Sequence, residues 1–312
     1  MIVAYIDTYR DRFGVEPICT VLSAHGMKIA PSTYYAHKAQ PVSPAVLEEA
    51  YLANALVTLH RENWGVYGVR KLWHAARRAG FDVGRDQVAR LMAIAGITGA
   101  IRGRHRTTTT RRAGAEAPRH PDLVKRGWHV PTATDQLWVA DFSYVWTLTG
   151  FVYVAFVVDV YSRRILGWRV ATSMRTFLVT DALRQAIDVR HRAGARWEHG
   201  RLVHHSDAGS QYVSLALTAE LAQAGIAGSI GTVGDALDNA LCESTIGLFK
   251  TEAINDGGPT WKNHADVEWQ VARWVHWYNR DRLHSSIGQL PPIEFEHAHR
   301  QATTVTPKPE VA

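Results

Sequence analysis

Cysteine is scarce in this chain, which has 312 residues and only two cysteines, Cys19 and Cys242. Two cysteines so far apart cannot build a disulfide framework or a multi-cysteine zinc site, and this scarcity is typical of the reducing cytoplasm. The 16 histidines do not change this interpretation, because they form no metal-binding pattern such as His-x-Glu-x-x-His. The sequence therefore argues against a disulfide-rich secreted protein and against a zinc protein, and it predicts a cytoplasmic one.

Long hydrophobic runs are absent as well. The best candidate, Phe151–Val158, is ended by Asp159 and is far shorter than the ~20 residues that a membrane-spanning helix needs. The N-terminus has no basic segment ahead of an apolar stretch, so no signal peptide is predicted. With 46% hydrophobic and 21% charged residues, the composition excludes wholesale disorder and fibrous repeats, and the length suggests about two domains.

Negative charge is scarce in one stretch. The whole chain has a net charge of +6, and residues 99–126 account for that excess, with eight basic and two acidic residues. A solvated linker would have this composition, and so would a flexible basic arm that lies along DNA phosphates. We interpret residues 99–132 as a basic linker with such an arm. The arginines predicted to contact DNA there are Arg102, Arg104, Arg106, Arg111 and Arg112.

Helical periodicity runs through residues 46–98, after an N-terminal helical segment over 1–45. The pattern predicts a second helix over Val69–Arg78, which Gly80 ends, and a third over Asp86–Ala95. Three short helices with a tight connection are typical of a helix-turn-helix DNA-binding domain, although a plain helical bundle with a solvated face fits the pattern too. The side chains expected on the exposed side of the third helix, where they would contact DNA, are Arg85, Gln87 and Arg90.

The order of elements after residue 133 predicts a mixed α/β domain. Alternating or continuous apolar residues predict three strands in an antiparallel meander, at 138–146, 151–159 and 165–170. Helices and short strands then alternate, at 176–191, 201–205, 214–224 and 226–230, before two further helices at 236–256 and 264–282. This order resembles that of the ribonuclease H fold. Residues 299–312 are predicted to be a disordered tail.

Three acidic residues stand out by their surroundings. Asp141 interrupts an apolar strand, Asp207 follows a short strand, and Glu243 shares a helix face with Asn239 and Lys250. Each acid also has an ordinary structural explanation. Asp141 could be a half-exposed strand residue, Asp207 could belong to a turn, and Glu243 could lie on the polar face of an amphipathic helix. Together they fit one chemistry, because Mg²⁺ prefers carboxylate oxygens and two such ions ~3.5–4 Å apart can clamp both oxygens of a phosphoryl transfer.

The segments Trp-Val-Ala-Asp141, His-Ser-Asp207-Ala-Gly-Ser-Gln-Tyr and Asp-Asn-Ala-Leu-Cys-Glu243 resemble those of the DDE transposases of bacterial insertion sequences. The 35 residues between Asp207 and Glu243 match the spacing of that superfamily. The stretches 67–71 and 278–286 are similar to the family's helix-turn-helix segment and closing motif. The resemblance covers nearly the whole chain and is to the product of the second reading frame of such elements.

The resemblance implies a ribonuclease H-like integrase catalytic core over 133–298, preceded by an all-α helix-turn-helix domain over 46–98. It implies DNA cleavage at the element ends, followed by strand transfer, with two Mg²⁺ ions that Mn²⁺ can replace. The catalytic and metal-binding residues would be Asp141, Asp207 and Glu243. Lys250 would hold a DNA phosphate, and Asn239 and His205 would support the site from behind the metal ligands.

The implied partners are double-stranded DNA, as terminal inverted repeats and as target, and further copies of the chain in a homo-oligomer on the nucleoid. The resemblance leaves open whether the chain acts alone or as a frameshift fusion with the upstream-frame helix-turn-helix product. Two rival functions remain at this point. A ribonuclease of the same fold would share the carboxylates but not need the DNA-binding half. A DNA-binding repressor would need residues 46–126 but not the three acids.

Overall fold

The computed structural model of the chain describes residues 2–39, 42–101, 120–125, 131–207, 209, 211–231, 240–254 and 260–305. The contacts divide the chain into two compact units, Met1–Ala55 and Leu56–Ala312. The five arginines predicted to contact DNA between 102 and 112, and Asn239, lie outside the described residues. Among the described residues, no helix is long and apolar enough to cross a membrane.

The first unit is helical, as the sequence predicts. Its helices are α1 (Ile2–Phe13), α2 (Val15–Ala24) and α3 (Pro31–Ala39), and a fourth helix, α4, spans Pro44–Glu62. Gly14 joins α1 to α2 at a φ of 77°, in the left-handed region that glycine adopts without steric cost. The Tyr34 hydroxyl donates to Asp7 at 2.8 Å. The buried side chains of this small core are Ile6, Ile18, Cys19, Leu22 and Tyr34.

The second unit begins with the rest of the helices predicted for DNA binding. Helix α5 spans Val69–Arg78, as predicted, and α6 spans Arg85–Ala95, one residue longer at its start than predicted. Gly96 ends α6 in the left-handed conformation that commonly closes helices. The apolar positions of the predicted pattern face inward, because the buried side chains of α5 and α6 are Leu72, Ala76, Val88, Leu91 and Met92.

A five-stranded mixed sheet forms the centre of the second unit. Its strands are β1 (Leu137–Thr147), β2 (Gly150–Asp159), β3 (Ile165–Ala171), β4 (Val203–Ser206) and β5 (Ala227–Ile230). Their order in the sheet is β3-β2-β1-β4-β5; β1, β2 and β3 pair antiparallel, and β4 and β5 run parallel to β1. The ladder between β1 and β4 ends where Ala140 pairs with Ser206. The predicted meander and fold class are confirmed.

Helices cover both faces of the sheet, which is why β1 and β2 can be almost continuously apolar. Helices α7 (Phe177–Arg192) and α8 (Leu215–Gln223) pack over one core. A Cβ atom at Gly167 in β3 would lie 1.9 Å from the Ala182 carbonyl oxygen, so glycine permits the close approach of α7. On the other face, Phe156 contacts aromatic rings of α9 (Ala240–Phe249) and α10 (His264–Arg280).

The C-terminal helix corrects one prediction. Helix α11 spans Pro292–Val305, so residues 299–305 are helical and the predicted tail is wrong there; residues 306–312 lie outside the described part. One tertiary contact and one ion pair within the helix account for the difference. The Nδ1 atom of His299 and the Tyr161 hydroxyl share a hydrogen bond at 3.0 Å. Arg300 forms an ion pair with Glu296, one turn earlier in the helix, at 3.6 Å. These contacts hold the last turns of a polar helix on the unit.

A buried network of charges lies beneath α11. Arg190 is fully buried and contacts Glu296 at 2.8 Å, Asp135 at 2.6 Å and Asp159 at 3.4 Å. Burial alone would raise the pKa of Glu296, but the hydrogen bonds and charge of Arg190 lower that pKa to about 2. Asp159 also accepts the Ser162 N–H at 2.8 Å and so closes the turn after β2. The sequence favours this turn-capping role for Asp159 over a place among the catalytic acids.

Candidate active site

Two of the predicted acids, Asp141 and Asp207, lie side by side where the pairing of β1 with β4 ends. Each aspartate directly follows the last pair of the β1–β4 ladder, Ala140 with Ser206, and β1 itself continues beside β2 to Thr147. Because β1 and β4 are parallel and adjacent, this register places the two aspartates beside each other at the carboxyl end of β4. Asp141 accepts the N–H of the following residue at 2.7 Å, and Asp207 accepts the Gly209 N–H at 3.0 Å.

The third acid comes from a helix. Glu243 lies in the first turn of α9, which packs against β1 and β2. The chain continues directly from α9 into a π-helical turn, Lys250–Ile254, a rare form that occurs frequently at functional sites. Lys250 begins this turn, and its ammonium group lies 4.9 Å from the centre of the Tyr144 ring in β1. The fold thus brings Lys250 to the strand that carries Asp141.

The pKa values show that the three carboxylates share one electrostatic environment. Burial raises the pKa of Asp141 to about 8; the charges of Asp207 and Glu243 add to this rise, and Lys250 opposes it. Burial also raises the pKa of Asp207, against the Gly209 N–H and the imidazole of His205, which lower it. The structure therefore brings together the acids that the sequence analysis predicts from three separate elements.

The donor set fits a hard divalent cation. Among the described residues, no three Asp, Glu, His or Cys side chains already lie close enough to enclose a metal ion. The carboxylates nevertheless repel one another, and a cation between Asp141, Asp207 and Glu243 would relieve that repulsion. Cys242, next to Glu243, does not compete as a thiolate, because burial and the three carboxylates raise its thiol pKa well above the ordinary value.

His205 lies behind the acids, on β4. It is buried, and its Nδ1 is 2.8 Å from the Ser229 hydroxyl of β5. Ser229 in turn accepts the Leu123 N–H at 2.9 Å, so the imidazole sits in a hydrogen-bonded chain. This position, together with its effect on the pKa of Asp207, fits the predicted supporting role. That role stays a prediction, as does the role of Asn239.

The residues predicted to contact DNA from α6 lie on its outer side. Arg85 and Arg90 are exposed and Gln87 is half-buried. Arg85 pairs with Asp86 at 3.1 Å, a contact between two exposed groups that a DNA phosphate could replace at little cost. The positions are those expected of a DNA-reading face, and the contacts themselves stay predictions.

Several side chains near the acids are not singled out by the sequence pattern. Tyr212 is buried, and after burial itself the charges of Asp141 and Asp207 raise its pKa well above the ordinary value. Tyr144 packs beneath Lys250, although 106 positions separate them in the chain. Only the pairing of β1 with β4 and the packing of α9 on β1 bring these groups together. Tyr144 and Tyr212 could have been selected because they lie close in sequence to Asp141 and Asp207, but the sequence does not predict which groups they contact.

Comparison with known proteins decides the family. Integrase core domain families match residues 131–236 and 224–292, and an HTH-like domain family matches residues 47–105. A putative transposase for insertion sequence element IS986/IS6110 of Mycobacterium tuberculosis is 47% identical over 273 residues, which cover 88% of this chain and 96% of that protein. The chain belongs to the insertion-sequence transposase family.

Another member of the transposase family extends the match to almost the whole chain. The transposase for insertion sequence element IS629 of Shigella sonnei is 45% identical over 300 residues, which cover 94% of this chain and 95% of that protein. Among solved structures, the simian T-cell lymphotropic virus intasome in complex with PP2A regulatory subunit B56 gamma aligns with a TM-score of 0.47 and 14% identity, covering 82% of this chain and 78% of that one.

Membership of the transposase family confirms the predicted enzyme class and fold. Transposases with an integrase core are polynucleotidyl transferases, which cleave DNA and transfer the cut strand, and they generally depend on a divalent metal. DNA is therefore the substrate, and the rival functions of ribonuclease and repressor are set aside. Which residues of this chain perform each step is a separate question.

Proposed function

We propose that Asp141, Asp207 and Glu243 hold two Mg²⁺ ions, which Mn²⁺ can replace, and that this site cuts and joins DNA at the ends of an insertion sequence. The observation that carries the proposal is the convergence of the three acids. Asp141 and Asp207 lie side by side just beyond the last pair of the β1–β4 ladder, and the charges of Asp207 and Glu243 both raise the pKa of Asp141. When bound, the ions supply Lewis-acid activation of the attacking oxygen and stabilise the leaving oxygen.

The chemistry is a pair of displacements at phosphorus. In the first, the oxygen of water bonds to the phosphorus at the element end, and the bond to the 3′ oxygen breaks to leave a 3′-hydroxyl. In the second, that hydroxyl oxygen bonds to a phosphorus of the target strand, and the bond to the neighbouring 3′ oxygen breaks there. Neither displacement requires a nucleophile from the protein.

The chain's own groups prepare the site. With a pKa of about 8, Asp141 carries a proton near neutral pH and releases it when positive charge arrives between the carboxylates. Lys250 contributes a positive group beside Asp141 that can bind a DNA phosphate, and the face of the Tyr144 ring attracts its ammonium. His205 supports Asp207 from its buried position in β4.

DNA recognition is proposed for two other stretches. The helix-turn-helix domain, 46–98, would read the terminal inverted repeats through α6, and the basic arm in 99–132 would follow DNA phosphates. A homo-oligomer on DNA would bring two element ends to catalytic cores formed by residues 133–298, in the cytoplasm where the nucleoid lies. Fusion to an upstream-frame product by frameshifting is a further hypothesis, tested by the mass of the protein expressed from the intact element.

The deciding experiment offers the chain a labelled element-end duplex, a target duplex and Mg²⁺. We expect Asp207→Asn to bind the duplex as well as the unaltered chain and to yield neither cut nor joined product. Asp188→Asn is the matched control, because Asp188 is an exposed aspartate of α7 that pairs with Arg192 one turn away, at 3.8 Å. Joined product from Asp207→Asn would refute the site, and cutting without joining by the unaltered chain would refute strand transfer.

A further inference from the structure

The π-helical turn after α9 is held by one buried ion pair. Glu252, the third residue of the turn, accepts three hydrogen bonds from Arg282. The Arg282 Nε donates to Oε2 at 2.9 Å and to Oε1 at 3.1 Å, and Nη2 donates to Oε1 at 2.5 Å. The Trp274 indole N–H adds a fourth contact at 3.3 Å. The side chains of Glu252 and Arg282 are only 6% and 4% exposed, so this is a desolvated, multiply bonded pair.

Arg282 belongs to a motif that the catalytic site does not use. It lies within residues 278–286, just after α10, and its guanidinium lies 5.7 Å and 5.9 Å from the ring centres of Tyr278 and Trp277. The next residue, Leu283, donates its N–H to the Tyr67 hydroxyl at 2.7 Å. Tyr67 begins the segment that leads into α5, so two motifs far apart in the sequence meet at this ion pair.

The position of Lys250 depends on the same turn. A π-helical turn shifts the backbone hydrogen bonds of a helix by one residue relative to a regular α-helix. Lys250 is the first residue of the turn, and Glu252 is the turn's buried anchor two residues later. Releasing Glu252 would let the helix revert, which would rotate Lys250 away from Tyr144 and Asp141.

We propose that Glu252 is a positioning residue of the transposase: its ion pair with Arg282 fixes the π-helical turn and so keeps Lys250 beside the catalytic carboxylates. The inference rests on the proposed function, because the DNA-binding role of Lys250 is part of it. Through Arg282 and Leu283, the turn is also tied to Tyr67, ahead of α5. The ion pair therefore gives a role to the 278–286 motif.

The test is a double-mutant cycle in the full-length chain with Mg²⁺ and the element-end duplex. Glu252→Gln removes the charge at nearly constant volume, and Lys250→Ala removes the group that it positions. We expect each to lower the maximal cleavage rate roughly 10- to 100-fold, because small displacements at an active site cost this much. The double variant should fall within about 3-fold of Lys250→Ala alone, since positioning has no effect once Lys250 is gone.

The control is Glu296→Gln, which alters another buried carboxylate paired with arginines, away from the turn. All variants are assayed below their melting temperatures, and Glu252→Asp, which keeps the charge, replaces Glu252→Gln if that variant does not fold. Losses that multiply in the double variant, a Lys250→Ala variant of full activity, or equal losses from Glu252→Gln and Glu296→Gln would each overturn the inference. Asp207→Asn distinguishes failure of the positioning role of Glu252 from failure of the proposed function. If this variant still joins DNA, the proposed function fails as well.

Discussion

Removal of the Glu296 carboxylate should strongly destabilise the second unit. In the folded chain this carboxylate accepts hydrogen bonds from Arg190, Arg164 and Ser162, at 2.7 to 2.8 Å. In Glu296→Ala the guanidinium of Arg190 stays fully buried with fewer partners. Breaking a buried pair by removing one partner typically costs ~3–5 kcal/mol.

The charged partners that remain in Glu296→Ala determine how much free energy of unfolding is lost. Glu296 pairs with three arginines, Arg164, Arg190 and Arg300, and its loss leaves the buried Arg190 with Asp135 and Asp159 as counter-charges. Independently, the fall in the pKa of Glu296 from 4.5 to about 2 corresponds to about 3 kcal/mol of stabilisation at neutral pH. Both arguments place the cost at about 3 kcal/mol, or roughly 6–12 °C in melting temperature for a unit of this size.

Urea and thermal unfolding at pH 7 measure this cost, with Glu294→Ala as the control. Glu294 lies in the same helix and also pairs with an arginine, Arg78, but both side chains are nearly half exposed, so its loss should cost less than about 1 kcal/mol. Because the folded pKa of Glu296 is depressed, its contribution is complete above pH 4.5 and is lost as the pH falls through about 2. Equal destabilisation by Glu294→Ala and Glu296→Ala would refute the reasoning.

Two further predictions concern metal and DNA. Protons compete with the cation for Asp141, whose pKa is about 8, so the apparent affinity for Mg²⁺ in a cleavage titration should rise from pH 6.5 to pH 8 and then level off; an affinity independent of pH would contradict this. Neutralising the five arginines of the basic arm should weaken DNA binding and flatten its dependence on salt, whereas Arg192→Gln on α7 should not. If the dependence of DNA affinity on salt concentration does not change, the stretch is a linker and not a DNA-binding arm. The arginines replaced together are Arg102, Arg104, Arg106, Arg111 and Arg112.

The sequence predicts elements well where local pattern decides them. Helix α5 begins and ends where its periodicity and Gly80 place it, and the meander of β1 to β3 follows from alternating and continuous apolar runs. It predicts elements poorly where distant contacts decide. The helix predicted over 236–256 is α-helical only to Phe249 and then π-helical, because Arg282 holds Glu252 from 30 positions further along the chain.

The candidate site divides in the same way. The identity of the three acids follows from sequence spacing and resemblance, because such spacing is set by the chemistry of the site. The raised pKa of Asp141 and the Tyr144 ring beneath Lys250 require the fold, because they depend on which elements pack together. The extent of α11 also requires it, since the contacts of Glu296 and His299 come from residues more than 100 positions away.

The β1–β4 ladder constrains how the gene can change. Asp141 and Asp207 owe their proximity to the pairing of Ala140 with Ser206, so one residue inserted within either strand would move an aspartate ~3.3 Å along and turn it to the opposite face. That shift is close to the ~3.5–4 Å that separates two catalytic metals. A residue inserted in either strand of the ladder ahead of its aspartate is therefore incompatible with activity.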